Sequence, residues 1–515
     1  MLQAALDQGI EIPHFCYHPA LSPAGNCRMC MVEIEAGGRR QMTTACTSMP
    51  TDGMVVNTDT EQVIQTRKAM MEFLFINHPL GCPVCDQAGE CILQDYGVEH
   101  GAGESRFVEQ KLVQPKKDIG EHILLYSDRC IRCTRCIRFC DEIPGTGELG
   151  YFHRGVHSEV DIFPGIRLDN RMSGNVVDVC PVGALLDKDF LFKQRVWFLE
   201  EVPSVCPRCS TGCSIWLHRN NNVLYRINPR VNPEVNGYWI CDDGRYGWEY
   251  VMGEHRLETP MRRVGDDLVP TSWEEALEAV QEGLSRVKEE RGTSALAGFA
   301  SGHLTCEENY LFGKFLRDVM GTDKVGIRVR RGEEETFLCG FTIEADKTPN
   351  LQGTQDMLKG LGLEVMEASE IWEQVEQGAI RGLYVLGGSP EEPLTEDERR
   401  ALGRVDFLVV QDISRSELAS MAHLILPGAA FSEKDGTFTN SKGRVQRIRW
   451  AFSPPGEAKA DWEVLRDVAE QLGGDFDYFS AREVMDEIGR CVPGYKGMSY
   501  ESLGETGRLV ERSRG

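Results

Sequence analysis

The chain has 515 residues, and 56 basic against 80 acidic side chains leave a formal charge of −24, which argues against a broad phosphate-binding face and against nucleic acid as a partner. With 41% apolar and 26% charged residues the composition is globular rather than disordered, and the length allows about three or four domains of ~100–200 residues. No apolar run approaches the ~18–20 residues needed to cross a bilayer and no charged n-region with an apolar h-region opens the chain, so membrane association is expected only through partners.

In chain order, residues 1–60 alternate short apolar stretches such as Met31-Val32-Glu33-Ile34 with Pro and Gly, the pattern of a small β-rich module with loops that hold ligands. The spacing of QVIQTRKAMMEFLFIN predicts a helix from Gln62 to Asn77, stopped by Pro79. Cysteine-bearing segments follow to about residue 250, separated by polar connectors. From about 270 the texture becomes α/β. Ser272 is the expected cap of SWEEALEAVQEGLSRVKEE, Thr305 and Glu308 have capping-box spacing, and GLYVLGG (382–388) and DFLVVQD (406–412) read as buried parallel strands. Leu386-Gly387-Gly388-Ser389 reads as a strand-ending turn, with a phosphate cradle as the alternative.

Cysteine carries the chemical signal. Sixteen of the 19 lie between Cys16 and Cys241, in tight C-x-x-C groups that without a secretory signal read as metal ligands in a reducing compartment. Cys130-x2-Cys133-x2-Cys136 with a remote Cys180-Pro181 suits [4Fe-4S], because three closely spaced thiolates wrap one corner of a cubane and a distant one closes it. A four-cysteine zinc site would present two separated knuckles instead. Arg129, Arg132, Arg135 and Arg138 surround these ligands; their charge would favour the reduced cluster, or they pair with surface acids, and both readings stand.

Cys206-x2-Cys209-x3-Cys213 with a distant Cys241 follows the same logic, Gly212 permitting a tight turn, with zinc as the alternative. Cys82-x2-Cys85-x5-Cys91 lacks a fourth thiol, and His78 is placed to supply the missing ligand; a Cys3His zinc site is the alternative. Cys16, Cys27, Cys30 and Cys46 suit [2Fe-2S], although the first gap exceeds the plant-type spacing. Fifteen cysteines and His78 thus make four sets of four. Cys140, Cys306, Cys339 and Cys491 are left over and are expected to be buried core thiols.

Taken in this order, IPHFCYHPALSPAGNCRMCMVE, HPLGCPVCDQAGEC, RCIRCTRCIRF with VVDVCPVGAL, and CPRCSTGC with YWICDDGR resemble the large iron-sulfur (G) subunits of bacterial NADH:quinone oxidoreductase, respiratory complex I. The resemblance implies a [2Fe-2S] cluster on Cys16, Cys27, Cys30 and Cys46. It implies three [4Fe-4S] clusters, on His78, Cys82, Cys85 and Cys91, on Cys130, Cys133, Cys136 and Cys180, and on Cys206, Cys209, Cys213 and Cys241, the last found in only some members and away from their main route. ADKTPNLQGT (345–354) and LILPGAAFSEKDGTFTNSKGRVQ (424–446) resemble the molybdopterin-oxidoreductase fold. Asp243 stands where catalytic members of that fold commonly carry Lys, and the half is short, so it reads as a domain kept for structure, with no molybdopterin expected.

The expected architecture is multidomain α+β and α/β. A β-grasp ferredoxin-like [2Fe-2S] domain occupies 1–60, truncated if the hairpin that family members place before Met1-Leu2-Gln3-Ala4-Ala5-Leu6 is missing. A His/Cys3 [4Fe-4S] segment follows at 61–120, a ferredoxin-like [4Fe-4S] segment at 121–200, a molybdopterin-oxidoreductase-type [4Fe-4S] domain at 201–255 and a reduced molybdopterin-oxidoreductase-like α/β domain at 256–515.

The expected function is electron transfer, as a subunit of NADH dehydrogenase with no catalytic residue of its own. No convincing G-x-G-x-x-G or P-loop is present, so nicotinamide and flavin belong to a partner. The implied partners are a flavin/NADH-binding subunit, a small [2Fe-2S] subunit, and ferredoxin-like and quinone-module subunits, in the peripheral arm on the cytoplasmic side of the plasma membrane. The rival readings are the large subunit of an NAD-dependent formate dehydrogenase, a hydrogenase diaphorase and, in another class, a zinc-stabilised scaffold.

Overall fold

Thr60 accepts a hydrogen bond from the Val63 amide and so starts the helix the apolar spacing predicts, Glu61–Phe75. It ends two residues before Asn77 because Lys111 captures its last carbonyls, donating from Nζ to Phe75 O at 2.6 Å and to His78 O at 2.8 Å. The computed structural model describes residues 1–387 and 393–511. It divides into two units: Met1–Leu199 with Trp239–Asp242 and Thr336–Phe341, and Glu200–Tyr238 with Asp243–Glu335 and the chain from Thr342 onward.

In the first unit, Met31–Ala36 pairs antiparallel with Arg39–Thr44 on one side and Val55–Asn57 on the other. Val32 and Ile34 are buried with Leu2, Ile12, Cys30 and Ala45 in a small core. Helix Glu61–Phe75 closes this module through Val63, Arg67 and Met71, the Arg67 guanidinium donating to Met31 O at 3.3 Å. Further on, Ile123–Tyr126 pairs with Lys116–Asp118 and Leu185–Asp187, and a hairpin joins Leu149–Phe152 to Glu159–Ile162. Short helices cover Arg135–Glu142 and Asn175–Val179.

The second unit opens with an antiparallel sheet of Glu200–Val205, Ser214–Asn220 and Val223–Pro229. Its main sheet has eight strands in the order Asp267–Pro270, Met261–Val264, Leu424–Pro427, Phe407–Asp412, Gly382–Leu386, Leu296–Ser301, Val325–Arg328, Val365–Met366. The six from Leu424–Pro427 to Val365–Met366 are parallel, and the hairpin 261–270 adds an antiparallel edge. Period-2 alternation sends Tyr384, Leu386 and Val409 into one core and Leu383, Val385, Leu408 and Val410 into the other, so strands 382–386 and 407–412 are buried throughout. Helices Trp273–Arg291 and Cys306–Lys314 begin with the two capping boxes read from the sequence. Of the turn after Leu386, Gly388 and Ser389 lie outside the described residues.

Two spare cysteines depart from expectation. Cys140 and Cys306 are buried, but Cys339 and Cys491 are exposed. Cys339 lies in the turn where Gly340 N bonds Phe337 O, and Cys491 ends helix Ala481–Cys491, so neither reaches a core. Among the described residues no helix is long and apolar enough to cross a membrane.

The second unit also buries charge. Lys434 bonds Glu308 at 2.9 Å and Asp461 at 2.7 Å, while Glu307 accepts from the Thr437 amide at 2.8 Å. Burial pushes the Glu307 carboxyl from 4.5 up to about 7. The folded state therefore holds a proton that the unfolded state has lost between those values. This contribution to stability is complete below about pH 4.5 and is lost as pH rises through about 7, a change of about 3 kcal/mol through this group. Urea unfolding followed by tryptophan fluorescence at both ends of that window should show the decline, and Glu307→Gln should remove this component.

Candidate metal centres

The four thiols of the first set meet. The Cys16 thiol lies beside those of Cys27 and Cys46, and Cys30 beside Cys46. Contact with Cys27 holds the Cys16 thiol far below its ordinary range and contact with Cys46 brings Cys30 down to about 7, while Cys27 and Cys46 are driven up as the donors. Arg28, between Cys27 and Cys30, takes a left-handed φ of 58°, a conformation costly for a non-glycine residue that turns the loop around its ligands.

His78, Cys82, Cys85 and Cys91 line one small cavity of about 20 Å³, with Gly81, Gln94, Arg129 and Gly183 also in its wall. His78 follows the helix that Lys111 terminates, and Cys82 begins a single helical turn, Cys82–Val84. The His78 Nδ1 is buried without a hydrogen-bond partner. Burial, helped by the Lys111 and Arg129 charges, lowers this imidazole to about 4, so it is neutral and can donate a lone pair. Burial pushes Cys91 up to about 11.

Cys130, Cys133, Cys136 and Cys180 line a second small cavity of about 20 Å³, otherwise walled mainly by apolar side chains including Leu125, Val160, Val182 and Leu185. Arg132 and Thr134 flank Cys133 with left-handed φ of 57° and 63°, and the Arg132 amide points at the Cys130 sulfur at 3.4 Å. Burial raises all four thiols, Cys130 to about 12 and Cys133 to about 11. Four thiols around one void, three of them buried and that of Cys130 partly so, stay neutral until a cation compensates them, and binding iron would displace their protons.

Chain segment 180–183 touches both cavities. Cys180 and Val182 line the second and Gly183 the first, and the Cys91 thiol approaches Pro181 O at 4.0 Å. A Cβ at Gly183 would overlap the Cys85 sulfur, so only glycine lets the strand pass this close. The sequence motif VVDVCPVGAL contains Gly183, but only the three-dimensional neighbour shows why it must be small.

Cys206 follows strand Glu200–Val205 and Cys213 precedes Ser214–Asn220, joined by Cys206 N to Cys213 O at 2.8 Å. Cys206, Cys209 and Cys213 are buried, and burial raises the Cys206 thiol to about 12. Gly212 has φ +70°, and a Cβ there would lie 2.8 Å from Asn440 Cβ. Cys241, also buried, precedes helix Asp242–Tyr246. Its neighbour Ile240 exchanges hydrogen bonds with Asn175, at 2.7 Å and 3.1 Å. The spare Cys140 is buried in helix Arg135–Glu142, away from the lining of both cavities.

The donor chemistry fits iron-sulfur clusters: three or four thiols, with a neutral imidazole in one set, line a common void. Among the described residues no three His, Cys, Asp or Glu side chains converge closely enough to hold one metal ion. The four arginines near the Cys130 set turn to carbonyls: Arg129 to Gly183 O, Arg132 to Val156 O, Arg135 to Val179 O and Arg138 to Cys16 O. Among the described residues, carbonyls rather than surface acids are their partners.

Family models match along the chain: a 2Fe-2S iron-sulfur cluster binding domain at 1–61, the NADH-ubiquinone oxidoreductase-G iron-sulfur binding region at 67–106 and the ferredoxin-like domain of NADH-quinone oxidoreductase subunit 3 at 120–186. A molybdopterin oxidoreductase Fe4S4 domain matches 199–253, and molybdopterin oxidoreductase 256–355 and 342–471. The class is that of multi-cluster iron-sulfur proteins joined to a molybdopterin-oxidoreductase domain.

The G subunit of NADH-quinone oxidoreductase from Rickettsia conorii is 32% identical over 99% of this chain and 89% of its own length. The G subunit from Streptomyces coelicolor is 40% identical over 72% of this chain and 43% of its own. A chain of the solved NAD+-reducing [NiFe]-hydrogenase in the H2-reduced state is 31% identical over 38% of this chain and 83% of that chain, with a TM-score of 0.32. The chain belongs to the family of NADH-quinone oxidoreductase G subunits.

Gly183→Ala should force Cys85 out of place and cost the His78 set its cluster. Iron analysis of the purified variant should fall by about four irons per chain, the content of one [4Fe-4S] cluster, with the other clusters retained.

Proposed function

We propose that this chain carries electrons from NADH, oxidised at a flavin on a partner subunit, toward quinone through protein-bound clusters. The observation that carries this reading is the adjacency of three donor sets within one unit. Arg138 bonds both Cys16 O and Cys133 O, and the Cys180–Gly183 segment lines the cavities of the second and third sets. When bound, the clusters supply one-electron carriers.

The proposed ligands are Cys16, Cys27, Cys30 and Cys46 for [2Fe-2S]. For three [4Fe-4S] clusters they are His78, Cys82, Cys85 and Cys91; Cys130, Cys133, Cys136 and Cys180; and Cys206, Cys209, Cys213 and Cys241. The protein's part is to fix these donors, bury them to exclude water and surround them with amides and guanidinium groups that tune potential. The domain limits are those expected from the sequence, with breaks near 60, 120, 200 and 255.

Asp243 in place of the cluster-to-pterin lysine supports a second unit that holds no molybdopterin. The partners in this reading are the flavin/NADH-binding, small [2Fe-2S], ferredoxin-like and quinone-module subunits, in the peripheral arm on the cytoplasmic side of the membrane.

Iron, sulfide, zinc and molybdenum analysis on anaerobically purified protein, with low-temperature EPR after dithionite, tests the proposal. It expects about fourteen irons per chain, from one [2Fe-2S] and three [4Fe-4S] clusters, and no molybdenum. Zinc with negligible iron, or stoichiometric molybdenum, would overturn it.

A further inference from the structure

We infer that Arg138, with Arg135 beside it, forms a cationic bridge between the Cys16 and Cys130 sets that raises the reduction potentials of both clusters. The inference rests on the ligand assignment proposed above. Arg138 Nη2 donates to the carbonyl of one ligand, Cys16 O, at 2.5 Å and reaches that of another, Cys133 O, at 3.5 Å. Its Nη1 donates to Ser22 O and its Nε to Thr134 Oγ1 at 3.4 Å. Arg135 repeats the arrangement one turn earlier, donating to Tyr17 O and, at 3.4 Å, to Val179 O, the neighbours of Cys16 and Cys180. Asn26 completes the junction, its amide nitrogen 3.4 Å from Cys133 O and 3.3 Å from Thr134 Oγ1.

Among the described residues neither guanidinium has a carboxylate within ion-pair distance. Arginine keeps its charge at every pH the protein meets, and Arg135 is buried where that charge is weakly screened. Their positive charge, held by carbonyls rather than by an ion pair, therefore faces two groups of proposed thiolate ligands. Both clusters become more negative on reduction, so a cation between them stabilises each reduced form. The arginines act through the ligands' surroundings and are positioning residues.

Redox titration of the whole chain, followed by EPR, tests this. Arg138→Gln should lower the midpoint of both clusters, with about a tenfold fall in the equilibrium constant for one-electron reduction, ~59 mV. Arg138→Lys, which keeps the charge, should restore most of it, and the His78 cluster should move least. Loaded clusters with unchanged midpoints in Arg138→Gln would overturn the inference, as would a lysine variant shifted as far as the glutamine one. If Arg138→Gln fails to load its clusters, Glu142→Gln decides. Glu142 accepts from the Ser22 amide at 2.8 Å, beside the carbonyl Arg138 holds, so neutralising it should raise the Cys16-set midpoint, and an unmoved midpoint overturns the inference. Absence of both clusters from the wild-type chain would instead defeat the ligand assignment.

Discussion

Each donor set has to draw ligands from different parts of the chain to one small void, and the first unit is organised around meeting that demand. Three local thiols come from a tight loop, whose left-handed residues at 28, 132 and 134 curl the backbone around the ligands. The proposed fourth ligand arrives from elsewhere: His78 from just beyond one helix, Cys180 from just beyond another. Gathering these groups in a buried place is unfavourable for free thiols, as the raised Cys130, Cys133, Cys136 and Cys180 show. The arrangement suits a cofactor that supplies positive charge.

Order along the chain is not order in space. The Cys16 loop meets the Cys133 to Glu142 segment through Asn26, Arg135, Arg138 and Ser22. The set at 78–91 meets the far end of the same ferredoxin-like segment, through Pro181 and Gly183. The third set in sequence therefore sits between the first and second. This puts Cys180 and Gly183, which line two different cavities, only three residues apart in the chain.

The second unit solves a different problem. Its parallel sheet is covered on both faces, and its interior holds Lys434 with Glu308 and Asp461, Arg256 with Glu433, and Glu307 on Thr437. Buried ions of this kind cost desolvation that their partners only offset, so they are weak evidence for stability. Their mutual geometry does hold helix Cys306–Lys314 against the segment 434–437, as a well-satisfied polar network can.

The candidate ligands were legible in the sequence by itself, because C-x-x-C spacing follows from the size of a cluster and the reach of one loop. So were the helix at 61–75, the capping boxes at Ser272 and Thr305, and the strands at 382–386 and 407–412, since caps and periodicity are local. The exposure of Cys339 and Cys491 was not, because a lone cysteine carries no pattern that distinguishes core from turn. Nor were the roles of Gly183 and Arg138: a glycine after Cys-Pro, or an arginine among arginines, acquires meaning only from the sulfur or carbonyl that folding brings against it. The sequence determined which residues could bind metal and which class of fold would carry them. Only the tertiary structure decided which sets are neighbours and what joins them, because contacts between residues a hundred positions apart are made by packing, and packing leaves no spacing to read.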